Sequence, residues 1–94
     1  MKQVKVNNHS VTINGEFCNL TELGKALNKP FIDWYMDNAV FIAELAYVYQ
    51  TGLNDLIQTD YSKPIPESWG HRIIVDEFAL KTGNHALIMT ELSI

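Results

Sequence analysis

Pro30 divides the helical part of this chain and constrains the fold more than any other residue. Proline cannot donate a backbone hydrogen bond, and it disfavours helical geometry in the residue before it. Leucines recur at helical spacing ahead of it, so we expect a first helix that begins at Asn19 or Thr21 and ends near Asn28 and Lys29. Proline then suits the first turn of a second helix. Two short helices joined by a tight turn form a helix-turn-helix-like corner.

The segment ahead of this corner alternates apolar and polar residues, which is the period of a half-buried strand. Asn7-Asn8 tolerates the positive φ angles of a tight turn, and Asn14-Gly15 is a strong hairpin signal. We therefore predict strands near 3–6, 10–13 and 16–19. The fold class is α+β, with a small antiparallel β-meander packed on a helical bundle that contains the corner.

Downstream of the corner, the stretch 39–49 is apolar nearly all round, which is typical of a helix buried on most sides. We predict it to be the core helix. Segment 59–69 contains two prolines and several turn formers, and its length marks a candidate functional loop. A helix over about 75–82 follows, and Asn84 can cap a last helix over 85–92.

Length and composition predict one domain spanning residues 1–94. With 94 residues and 47% hydrophobic side chains, the chain is too apolar for disorder and can bury one modest core. Its uninterrupted apolar runs, such as Ala39–Ala43, are far shorter than the roughly 20 residues that span a bilayer. A single cysteine excludes a disulfide framework and favours a reducing compartment. We expect a cytoplasmic protein with no membrane segment.

Catalysis and metal binding find little support in the residue pattern. His9, His71 and His85 lie in separate segments without the spacing of zinc ligands, and Cys18 at the end of a predicted strand is typical of a small buried hydrophobe. Four acidic residues fall on predicted helices, with no glycine-rich phosphate loop or nucleophile elbow beside them: Asp33, Asp37, Asp76 and Glu77. We expect no enzyme activity, no metal and no cofactor.

Three short sequence motifs occur in a fixed order along the chain. The chain carries INGEFCNLTEL at 13–23, ALNKPFIDW at 26–34, and SWGH at 68–71 followed by Phe78-Ala79. These motifs resemble the KilA-N domain family, which occurs in phage and other DNA-virus proteins and is linked to fungal DNA-binding domains of the APSES type. The resemblance covers roughly residues 11–83. It implies a small α+β DNA-binding module of a phage or mobile element, acting as a regulator in a bacterial host cell.

The first functional hypothesis is therefore DNA binding through the helix-turn-helix-like corner, whose second helix can lie in a major groove. Five cations would contact phosphates: Lys25, Lys29, Lys63, Arg72 and Lys81. Lys29, Ile32 and Asp33 would lie nearest the bases. Clustering of the five cations on the corner favours this hypothesis.

The second hypothesis is a protein-binding module that inhibits or modulates a host protein without binding DNA. It fits the net charge of −4. Tyrosine and tryptophan are favoured interface anchors, and Trp34, Tyr35, Tyr61 and Trp69 are candidates, although Trp34 also suits a core position. Dispersed cations and acidic residues on the corner favour this hypothesis, and a homodimer is compatible with either one.

Overall fold

The computed structural model describes residues 1–84 and, within them, five strands and five helices. The elements, in chain order, are β1 (Lys2–Val6), β2 (His9–Asn14), β3 (Phe17–Asn19), α1 (Leu20–Ala26), α2 (Phe31–Asp37), α3 (Ala39–Val48), α4 (Leu53–Leu56), β4 (Ile57–Asp60), β5 (Glu67–His71) and α5 (Arg72–Lys81). The strands of this region form one antiparallel sheet in the order β1-β2-β3-β5-β4. The predicted α+β class and its N-terminal meander are confirmed.

Two tight turns build the meander. Asn7 and Asn8 have φ angles of 49° and 68° and join β1 to β2, as their tolerance of positive φ predicted. The second turn consists of Gly15 and Glu16, one residue later than predicted, because Asn14 still pairs with Phe17. Gly15 takes the positive φ of 63° there.

The helix-turn-helix-like corner follows directly from β3. The side chain of Asn19 accepts a hydrogen bond of 3.0 Å from the backbone N–H of Glu22, so Asn19 rather than Thr21 caps α1. After α1, Asn28 takes a positive φ of 56°, and the Lys29 N–H donates to the Gly24 carbonyl at 2.9 Å. The chain then enters α2, which confirms the predicted corner.

The core lies where the corner meets the sheet and α5. Phe78 of α5 is fully buried, and its ring centroid lies 5.5 Å from that of Phe31 and 5.1 Å from that of Trp34. The other completely buried large side chains come from the meander, α1, α3 and α5: Val6, Val11, Leu20, Leu23, Ile42, Ile74 and Val75. The second helix of the corner is thus anchored to α5 by aromatic packing.

Helix α3 is not the core helix that its composition predicted. Only Ile42 and Ala46 are buried, whereas Val40, Tyr47 and Val48 are 74%, 85% and 70% exposed. The prediction was wrong because an apolar residue is buried only where another element packs against it, and within residues 1–84 the outer side of α3 has no such element.

The predicted loop 59–69 is largely a hairpin. Strands β4 and β5 pair from Ile57 with Gly70 to Asp60 with Glu67, and both prolines lie in the six-residue connection 61–66. The prolines therefore set the length of the connection without interrupting the pairing.

Helix α5 begins at Arg72, three residues before the predicted start. His71 caps it, because its Nδ1 atom accepts a hydrogen bond of 3.2 Å from the Ile73 N–H. Ile73, Ile74 and Val75 are therefore part of the helix. The predicted helix 85–92 lies outside the described residues. No helix within 1–84 has the length and apolar character needed to cross a membrane, since the longest have ten residues.

Candidate functional site

The corner presents one side of α2 to the outside. Four side chains of this helix are exposed: Ile32, Asp33, Met36 and Asp37. Phe31 and Trp34 point the opposite way, into the core. The outer face of α2 therefore combines two large apolar side chains with two carboxylates, and the helix contains no lysine or arginine.

Three of the five predicted phosphate contacts lie around the turn of the corner. Lys25, exposed at the end of α1, and Lys29, half-buried in the turn, line the same groove. Lys29 also lines a second hollow together with Lys81 from the end of α5. The Nζ atom of Lys81 lies 4.2 Å from the ring centroid of Phe41, so this lysine also contacts α3.

The other two predicted cations lie elsewhere. Lys63 is in the β4–β5 connection, where its Nζ atom is 2.6 Å from Oε1 of Glu67. A hydrogen bond to this lysine lowers the pKa of Glu67, and the same bond raises the pKa of Lys63. Arg72 begins α5 and lines a small hollow with Ile13 and Val75. The structure therefore places Lys25, Lys29 and Lys81 around the turn, and Lys63 and Arg72 away from it.

A groove of about 730 Å³ opens beside the corner. Its first wall consists of Lys25, Lys29, Pro30 and Ile32, which lie on either side of the turn. Gly24 shapes the base of this wall, since a Cβ atom there would lie 2.8 Å from the Lys29 carbonyl oxygen. The only sequence signal that the turn passes this close to α1 is the presence of a glycine, Gly24, within a helical pattern.

The second wall of the groove comes from the β4–β5 hairpin. Thr59, Tyr61, Ile65 and Pro66 line it, with Tyr61 and Ile65 78% and 77% exposed. The hydroxyl of Thr21 accepts a hydrogen bond of 2.9 Å from the backbone N–H of Ser68, which ties α1 to the hairpin. Sequence reasoning singled out this connection by its length, but it did not place it beside the corner.

The candidate aromatic anchors have different surroundings. Trp34 is 3% exposed and fills the core, while Tyr35 and Trp69 are half-buried. Tyr61 alone among these four is largely exposed, and it stands in the second wall of the groove. It is therefore the aromatic side chain of this set that is placed to contact a partner.

Cys18 is a buried core residue, as predicted. Burial raises the pKa of its thiol to about 12, and the negative charge of Glu22 adds to this effect. A thiol held neutral in this way is a poor nucleophile. Across residues 1–84, no three His, Cys, Asp or Glu side chains lie close enough together to hold a metal ion.

No protein-family model matches this chain, and neither the curated proteins nor the solved structures searched with it gave a match.

Proposed function

We propose that this protein is a protein-binding module that docks through the helix-turn-helix-like corner and modulates a host protein in the bacterial cytoplasm. The single observation that carries the proposal is the outer face of α2. A helix that enters a major groove faces a dense array of phosphates. This face instead has Asp33 and Asp37 next to exposed Ile32 and Met36. Carboxylates repel phosphates, while exposed apolar side chains favour a protein partner.

The exposed side of α3 supports the same class of partner. Helix α3 follows α2 after one residue, Asn38, and Glu44 is its only charged residue. Its exposed stripe of Val40, Tyr47 and Val48 has no cation that could contact a phosphate. Two consecutive helices thus present apolar surface without positive charge.

Affinity capture from bacterial lysate tests the proposal. The full chain is immobilised and exposed to nuclease-treated lysate, and the amount of bound protein is measured. Met36→Asp adds a charge at the centre of the proposed surface, so we expect it to lower the affinity for the captured partner by about tenfold or more.

Leu80→Asp is the matched control, because Leu80 is also exposed, at 58%, but lies on α5. This variant is expected to capture the partner as the unmodified chain does. Absence of any stoichiometric partner, or equal loss in the two variants, would contradict the proposal.

DNA binding is the second candidate, because Lys25, Lys29 and Lys81 surround the turn. If all three contact phosphates, anisotropy of a fluorescein-labelled duplex should show log affinity falling against log salt with a slope of about −2.7. Lys29→Ala should make this slope about 0.9 less steep, which corresponds to the loss of one phosphate contact. Lys2→Ala in β1 should leave the slope unchanged. No binding at low salt would remove this candidate and, with it, the function implied by the KilA-N resemblance.

A further inference from the structure

A second hollow adjoins the groove beside the corner. This hollow of about 240 Å³ lies between α2 and the pair α4–β4. The two spaces share four wall residues and therefore adjoin: Phe31, Ile32, Thr59 and Ser68. We call the combined space the α2–β4 channel. It runs from the corner lysines to Leu53 and Asn54 of α4.

All the charged side chains in the walls of the α2–β4 channel are positive. Lys25 and Lys29 are the only charged residues in the walls of the two hollows, as the described residues form them, and no carboxylate lines either space. This is the reverse of the whole chain, whose net charge is −4. Neither lysine has an acidic partner within 4.0 Å among residues 1–84. A ligand with negative charge at the corner end would be electrostatically complementary.

The rest of the α2–β4 channel is suited to apolar side chains and an extended backbone. Ile32, Tyr61 and Ile65 are exposed on its walls, at 60%, 78% and 77%. Strand β4 is the edge of the sheet formed by residues 1–84 and pairs there only with β5. Thr59 and its cross-strand partner Ser68 line both hollows, so the channel lies over one face of the β4–β5 hairpin, where an extended peptide could place alternate side chains.

We propose that the α2–β4 channel binds an extended peptide segment of the partner, with apolar side chains between α2 and β4 and an acidic residue at Lys25 and Lys29. The proposal rests on the proposed function and specifies the chemistry of the partner. A folded apolar surface would not need the lysines, and a nucleic acid would leave the apolar walls unused.

Peptide selection tests this specificity directly. A phage-displayed library of random 12-residue peptides is panned against the immobilised full chain, and the enriched sequence is synthesised with a fluorescein label. We expect enriched peptides to combine large apolar residues with aspartate or glutamate. The Lys25→Glu/Lys29→Glu double variant should bind the synthetic peptide at least about tenfold more weakly.

Lys2→Glu/Lys5→Glu is the matched control, because it makes the same change in net charge on exposed β1 positions. It should bind the peptide as the unmodified chain does. Ile32→Ser, at an exposed position, should also weaken binding without changing the charge.

In the peptide experiment, the channel proposal would be overturned by no enrichment, by enriched peptides without acidic residues, by equal affinity in the two double variants, or by tighter binding of a 12-nucleotide single-stranded DNA at the same lysines. The proposed function fails separately. A partner captured from lysate that is lost with Met36→Asp but retained with Lys25→Glu/Lys29→Glu would support docking on the outer face of α2 and overturn the channel.

Discussion

Helices α3 and α5 are both ten residues long and show opposite relations between composition and burial. Helix α3 has a single charged residue, Glu44, yet buries only Ile42 and Ala46. Helix α5 has four charged residues and buries four side chains, among them the completely buried Phe78. The difference lies in position, because α5 follows the interior strand β5 and packs on the aromatic side chains of the corner.

The comparison shows that amphipathic spacing indicates burial better than apolar content does. In α5 the buried residues Ile74, Val75, Phe78 and Ala79 form one stripe, and the charged residues lie outside it. In α3 both sides are apolar, so nothing in its sequence tells which side faces the core. Within residues 1–84, its outer side is covered by no other element.

The largest expected effect is a difference in stability between substitutions in the two helices. Phe78→Ala removes a ring packed 5.1 Å from Trp34 and is expected to lower the free energy of unfolding by about 3–5 kcal/mol. Tyr47→Ala, at an 85% exposed position, should change it by less than about 0.5 kcal/mol. Urea unfolding followed by tryptophan fluorescence measures both.

If Phe78→Ala does not fold, Phe78→Leu keeps the comparison measurable, with an expected loss of about 1 kcal/mol. Equal losses for the Phe78 and Tyr47 substitutions would mean that α3 is covered in solution as thoroughly as α5.

Much of this arrangement follows from local sequence signals, and the remainder depends on contacts between distant segments. The double asparagine turn, the cap at Asn19 and the break at Pro30 are encoded by neighbouring residues. The turn and the break were predicted, and Asn19 was one of the two caps predicted for α1. The β4–β5 hairpin was missed because prolines suggested a continuous loop. The groove was missed because Thr59 and Tyr61 reach the corner only through the tertiary fold.

The second expected effect is a pH dependence of the free energy of unfolding. It arises from Cys18, a β3 residue that lies beside α5. Cys18 lines a hollow with Val75 of α5, and its thiol has a pKa of about 12 in the folded chain against an ordinary value of 9.0. Above pH 9 the unfolded chain loses this proton and the folded chain keeps it, so the folded state loses stability until about pH 12. Between pH 8 and pH 10 the loss is about 1.4 kcal/mol.

Urea unfolding at pH 8 and pH 10 gives the change in the free energy of unfolding for the unmodified chain and for Cys18→Ala. Lysines and tyrosines titrate alike in both proteins, so the difference between the two changes is the contribution of Cys18. Ala43→Cys is the matched variant on the exposed side of α3. Its new thiol should ionise alike in both states and add no pH dependence. An identical slope for the unmodified chain and Cys18→Ala would show that the thiol is accessible in the folded protein.

The third effect concerns the start of α5. His71→Ala removes the acceptor for the Ile73 N–H and the contact of Nε2 with Oε2 of Glu16 at 3.2 Å. We expect a loss of about 1 kcal/mol, measured by thermal unfolding as a fall in Tm of about 4–8 °C. His71→Asn should recover most of it, since asparagine is a strong capping residue. His9→Ala, at an exposed strand position, should have no such effect.

The smallest effect tests the contact between the two helices themselves. Lys81 at the end of α5 lies over the ring of Phe41 in α3, at 4.2 Å from its centroid. A cation–π contact at an exposed site contributes about 0.5–1 kcal/mol. A double-mutant cycle with Lys81→Met and Phe41→Leu should therefore give a coupling energy of about 0.5 kcal/mol in urea unfolding. Zero coupling would mean that the end of α5 does not hold α3, and that α3 is held by the side chains that pack on the core, Ile42 and Ala46 with the partly buried Phe41 and Leu45.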